Sequence, residues 1–169
     1  MKELRGNLWE LARGSILCIT TNGFVKSNGE CVMGRGIAQA AAKKFPELPK
    51  TLGTLLKTKG NNVHILGLYG EYILVSFPVK PEYEIFNHTS QVVRHMQQQF
   101  SLGTTIPGWA CAARLPLIEQ SVEQIQKLNI PTTTNVYIPR PGCGAGELTW
   151  EQVKPMMEVL PNNFFVCTF

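Results

Sequence analysis

A chain of 169 residues is the length of one ordinary domain, and 44% apolar against 17% charged residues is enough for a core and too little charge for disorder. Sixteen basic against twelve acidic residues leave a formal charge of +4. That balance favours anionic ligands mildly and falls short of the concentrated basic face of a duplex-DNA binder. No apolar run approaches the ~20 residues that cross a bilayer, and Met1 to Arg5 has no apolar core of the signal-peptide kind. A soluble, cytoplasmic protein with no membrane partner is expected. The five cysteines (Cys18, Cys31, Cys111, Cys143, Cys167) are odd in number and form no C-x-x-C pair, which argues against a disulfide framework and a zinc site. The three histidines (His64, His88, His95) have no metal-ligand spacing. Neither a metal nor a cofactor is expected.

Short apolar runs alternate with helical patterns, as in a layered α/β fold. Ser15 to Thr20 predicts a buried strand between Gly14 and Asn22-Gly23. Gly36 to Phe45 (GIAQAAAKKF) is Ala-rich, carries lysines near its end and stops at Pro46, which predicts a helix. Pro49 to Lys59 predicts another, closed by Gly60. Val63 to Leu68 and Tyr72 to Phe77 predict a hairpin around Tyr69-Gly70-Glu71. Residues 81–113 break the alternation with Pro81, a polar helix-like stretch from Ser90 to Phe100, and a loop from Ser101 to Gly108. A connection this long is either functional or an insertion. Leu115 to Leu128 carries apolar residues at 115, 118, 122, 125 and 128, a helical stripe. Asn135 to Ile138 predicts a strand. Thr149 is an N-cap for a helix reaching about Val159, with Glu151 in its first turn, and Phe164 to Phe169 predicts a last strand.

Two glycine-rich segments each follow a strand and lead into a helix. One runs from Asn28 through Gly34-Arg35-Gly36-Ile37; the other runs from Pro139 through Gly142-Cys143-Gly144-Ala145-Gly146 to Trp150. Glycines let the backbone approach a ligand and turn its N–H groups to one point, and a helix N-terminus adds partial positive charge. Two such loops at one sheet edge suit a diphosphate gripped from both sides. Neither has the spacing of a dinucleotide fingerprint or a P-loop, and a tight turn is the plain alternative for either one alone. These residues point to a phosphorylated nucleotide and go no further by themselves.

Five segments occur in one order: Gly6-Asn7-Leu8, Thr21-Asn22-Gly23, Val32 to Ala38 (VMGRGIA), Phe77-Pro78-Val79-Lys80, and Pro139 to Trp150. That order resembles the macro domain, an ADP-ribose-binding fold. It is most similar to the branch holding the terminal ADP-ribose glutamate glycohydrolases and the antitoxin-type DNA ADP-ribosyl glycohydrolases, and to small phage and bacterial stand-alone macro proteins. The match leaves out about residues 81–113, expected as a family-atypical insertion in a single domain over 1–169. The resemblance implies a three-layer α/β/α sandwich around a mixed central sheet, with ADP-ribose across its top. It implies adenine contacts from Asn7, Leu8 and Phe169, with Asn7 replacing the family's acid and so losing charge assistance. It implies ribose and phosphate contacts from Gly34, Arg35, Gly36 and Ile37, and further phosphate contacts from Gly142, Cys143, Gly144, Ala145 and Gly146.

For catalysis the resemblance implies Lys80 as nucleophile at the ribose anomeric carbon, with Asn22 beside the distal ribose. A buried lysine of lowered pKa suits that role; a solvated lysine at a strand end is the alternative. The family's assisting aspartate falls on Gly146, with Glu147 next to it, a departure that disfavours the lysine–aspartate version of the chemistry. A small loop-packing role is the simpler reading of Cys143, Trp9 and Trp150 read as core, and His88 and His95 receive no role. The expected function is removal of ADP-ribose from a modified protein or single-stranded nucleic acid by a monomer. The alternatives are a non-catalytic ADP-ribose-binding module and an ADP-ribose 1″-phosphate phosphatase.

Overall fold

In the computed structural model, which describes residues 1–169, the elements run β1 (Lys2–Arg5), α1 (Leu8–Leu11), β2 (Ile16–Thr21), α2 (Gly36–Lys44), α3 (Leu48–Lys59), β3 (His64–Tyr69), β4 (Tyr72–Pro78), β5 (Tyr83–Ile85), β6 (Thr105–Pro107), α4 (Leu115–Gln126), β7 (Val136–Pro139), α5 (Trp150–Met157) and β8 (Phe164–Thr168). Six strands form a sheet in the order β1-β8-β7-β2-β4-β3. All pairings are parallel except the β3–β4 hairpin, so the sheet is mixed. β5 and β6 pair separately.

Side-chain alternation along β2 explains the three layers. Leu17 and Ile19 pack with Leu48 and Leu52 of α3 on one face. Ile16 and Cys18 pack with Ile118 and Val122 of α4 and Val153 and Met157 of α5 on the other. The sandwich expected from the sequence is therefore present. β1 and α1 were not foreseen: β1 is mostly charged, and α1 is a single turn capped by Asn7, whose side chain accepts from Trp9 N–H at 3.0 Å.

α3 also sets the position of the first glycine-rich segment. Gly53 lets the helix lie against that segment's backbone; a Cβ there would stand 2.0 Å from Gly29 O and 3.0 Å from Cys31 N. Gly53→Ala is expected to destabilise by about 1–3 kcal/mol. A thermal melt should fall by roughly 2–10 °C; an unchanged midpoint would mean that α3 can move away without loss.

The Ser90–Phe100 stretch is not α-helical. It forms two 3₁₀ turns, Thr89–Gln91 and Arg94–Gln99, on either side of Val92 and Val93, both buried. A continuous helix would break the bridge between Val92 and Cys111 and pull the valines outward. Residues 81–113 bury their own small core of Phe86, Val92, Ile106, Ala110 and Cys111. Their junction with the sandwich is closed by Arg114, whose N–H reaches Val79 O at 2.9 Å and whose guanidinium grips the Glu84 carboxylate at 2.6 and 2.8 Å.

Candidate functional site

Because β2, β4, β7 and β8 run parallel, their carboxyl ends share one edge, and the segments following them meet there although far apart in sequence. They enclose a cavity of about 730 Å³, a volume typical of small-ligand sites. Asn22 and the first glycine-rich segment follow β2, Lys80 closes β4, the second glycine-rich segment follows β7, and Phe169 follows β8.

Backbone donors dominate two walls. The N–H groups of Gly34, Gly36 and Ile37 on the first segment, and of Gly144, Ala145 and Gly146 on the second, find no acceptor within the protein, and all six residues line the cavity. Unpaired backbone N–H groups converging on a cavity form an anion site. Gly36 stands at φ +55 with open space where a Cβ would project, so a ligand can reach the start of α2. The N-cap of α2, Arg35, has no capping side-chain bond. The two helix starts differ, against the symmetric expectation. α5 is closed by its own capping box, with the Thr149 side chain accepting from Gln152 N–H and the Gln152 side chain from Thr149 N–H, so the second wall offers loop amides and not a free helix end.

Lys80 is buried, 8% exposed, which removes the solvated-lysine reading. Its ammonium donates to Trp109 O at 3.4 Å. Burial pushes its pKa below the ordinary lysine value, and Arg35 and Arg114 push the same way, while Cys111 and Glu147 oppose. Nothing forms a direct ion pair with it. A desolvated amine beside other cations is the setting in which a lysine becomes a nucleophile. Asn22 lines the cavity too, with its carboxamide tied into the loop: its N–H₂ donates to Val32 O at 2.9 Å and its oxygen accepts from Phe24 N–H at 2.8 Å.

At Gly146 there is no room for an acidic side chain. A Cβ would meet Ala113 Cβ and Gly142 O, each at 2.6 Å. The neighbouring Glu147 has φ +64, in the left-handed region that L-residues avoid, and lines the cavity. Its carboxylate accepts from Arg94 N–H at 2.8 and 3.3 Å.

Of the remaining predicted residues, Leu8 and Phe169 line the cavity, Leu8 buried and Phe169 81% exposed. Asn7 and Cys143 are off its wall: the Asn7 oxygen caps α1, and the Cys143 thiol donates to Pro141 O at 3.5 Å. Burial raises the Cys143 pKa, so it is no reactive thiolate.

Sequence reasoning missed Arg140, Val93, His95, Met96 and Trp109, all on the wall. Arg140, beside the second glycine run, was the findable one. It stacks 4.8 Å above Trp150 and bonds Glu3 at 3.2 Å. His95, expected to have no role, meets Arg35: its Nε2 lies 3.1 Å from Arg35 Nη2.

No family model matches the chain, and no curated protein sequence matches it. Its fold is nonetheless that of solved macrodomains. The macrodomain of Mycobacterium tuberculosis DarG is 21% identical with a TM-score of 0.62, over 98% of this chain and 95% of that one. The macrodomain of Thermus aquaticus DarG is 20% identical with a TM-score of 0.61, over 99% and 97%. Thermosipho africanus DarTG in complex with ADP-ribose is 17% identical with a TM-score of 0.60, over 99% of this chain and 41% of that longer one. The chain thus has the macrodomain fold over its whole length.

Proposed function

We propose that the protein binds ADP-ribose in this cavity and releases it from a modified protein or single-stranded nucleic acid. The observation that carries the reading is the pair of facing glycine walls, with six unpaired N–H groups around a site whose side chains include Arg35, Lys80 and Arg140. Such walls suit a diphosphate, and Leu8 and Phe169 offer apolar surface for a base. The ADP-ribose complex of a protein with the same fold supports the choice of ligand.

In the proposed chemistry the uncharged Lys80 amine donates its lone pair to the anomeric carbon. The bond to the target breaks, and the target leaves with the bonding electrons and takes up a proton. Water then hydrolyses the lysine adduct and frees both ADP-ribose and the amine. The 81–113 segment supplies Val93, His95, Met96 and Trp109 to the wall near Lys80, which supports a role in selecting the target. Gly146 favours a second reading, a binding module without chemistry, because a Cβ there would stand 2.6 Å from Ala113 Cβ and Gly142 O, which leaves no space for an assisting acid at that position.

Calorimetric titration with ADP-ribose, ADP and AMP tests the ligand. Saturable binding tighter for ADP-ribose than for ADP is expected; equal or undetectable binding of all three would remove ADP-ribose from the site.

A further inference from the structure

Two adjacent residues of the 81–113 segment are fastened to opposite walls of the cavity. His95 meets Arg35 on the first glycine wall at 3.1 Å, and Arg94 N–H meets the Glu147 carboxylate on the second at 2.8 Å. On either side of them the chain is tight, with Val93 N–H bonded to Ala110 O and Met96 N–H to Val93 O, each at 3.0 Å. Val93, His95 and Met96 all face the cavity. We infer that residues 93–96 form a strap that regulates access to the cavity, released when an anionic oxygen of the ligand takes Arg35 from His95. The inference deepens the ADP-ribose reading above and rests on it.

The chemistry of the two fastenings makes the exchange favourable. A guanidinium has no acceptor, so the His95 ring accepts through Nε2 as a neutral imidazole. That is a bond from a cation to a neutral nitrogen, exposed to water. A phosphate offers the same guanidinium two oxygens and an opposite charge, a fork-to-fork pairing that one neutral ring nitrogen does not supply. Arg35 sits beside the free N–H groups of Gly34 and Gly36, where such an oxygen would lie.

The second fastening couples the strap to Lys80. Glu147 holds an uncommon backbone conformation while its carboxylate is turned onto the strap. Lys80 has only a carbonyl partner. Release of Arg94 N–H leaves that carboxylate without its present donor, in the same cavity as the amine. Lys80 and Arg140 are the other charged groups on the cavity wall, besides the Arg35 and Glu147 that hold the strap.

Amide hydrogen exchange of the full chain, read with and without ADP-ribose, tests the strap. Without ligand, His95→Ala is expected to speed exchange at residues 93–97 by about 3- to 10-fold, as befits one lost hydrogen bond. His95→Gln, which keeps an acceptor, should restore the slow rate. Saturating ADP-ribose should speed exchange in the same residues of the wild type while slowing it at 34–38 and 144–146. In stopped-flow mixing, His95→Ala should bind ADP-ribose faster by a similar factor. Exchange in His95→Ala equal to wild type overturns the fastening. Slower exchange at 93–97 with ADP-ribose overturns the release, since the segment would then be closing on ligand. ADP-ribose without effect at any residue, beside an intact His95→Ala response, overturns the ligand and leaves the fastening standing.

Discussion

Lys80→Met is expected to lower release of ADP-ribose from a modified target by at least about 10³-fold, the scale on which a covalent nucleophile is missed, while ADP-ribose affinity changes less than about threefold. The glycine walls proposed to hold the phosphates are built from backbone amides that do not involve Lys80, so binding and chemistry should separate. Full activity in the variant would remove Lys80 from the reaction; a wild type that binds ADP-ribose and releases none would establish the binding module instead. The amine must lose its proton to attack. Wild-type activity should therefore rise with pH, with a midpoint below the ordinary lysine value, because burial first and then Arg35 and Arg114 hold the folded pKa down. The same shift bears on stability. Between the lowered folded pKa and the unfolded one, the unfolded chain binds more protons, so stability increases with pH across that window. Below the window the cost of a buried ammonium is fully present. Lys80→Met removes it and is expected to raise the neutral-pH melting midpoint by about 2–4 °C, a gain in stability that accompanies lost function.

Gly146→Ala is expected to weaken ADP-ribose binding by about 10- to 100-fold and to cost roughly 1–3 kcal/mol of stability. The added methyl meets Ala113 and the carbonyl of Gly142 at 2.6 Å, both in relatively fixed surroundings. Gly142 itself stands at φ +72, and a Cβ built on it would lie 2.9–3.0 Å from the side chains of Ala113, Ile118 and Leu148, so the turn has nowhere to retreat. The second wall must shift, and its three free N–H groups shift with it. Calorimetry and a thermal melt read both effects; unchanged binding would mean that the second wall does not hold the ligand. Gly146→Asp should do no better, which separates this cavity from one that works with an acid at that place.

The sandwich was legible because its strands and helices carry strong periodic signals: the SILCIT run, the Ala-rich helix ended by Pro46, and the stripe at 115, 118, 122, 125 and 128. The site was legible where backbone chemistry builds it, since glycine at 34, 36, 142, 144 and 146 reports amide donors directly. It was illegible where tertiary contact builds it. His95 lies in a polar run with no period, and only the inward turn at Val92-Val93 brings it to Arg35. Glu147 shows no sign in sequence of its left-handed backbone, which decides where the carboxylate points. The polar segment misled for a related reason: helix-like composition gave way to the burial of two β-branched residues.

The junction at Arg114 has a consequence for how such a protein can diversify. The amine and both glycine walls belong to the sandwich, whereas Val93, His95, Met96 and Trp109 belong to a unit with its own core, joined to the sandwich at Val79 and Arg114 and fastened to it at Arg35, Lys80 and Glu147. The glycine walls and the side chains set beside them in the cavity are thereby housed in pieces with separate cores. Substitutions within this unit that spare its contacts to Arg35, Glu147 and Lys80 can accumulate without disturbing the sheet or the glycine walls. A lineage with this architecture can thereby reshape one side of the cavity while keeping the sheet that carries the other.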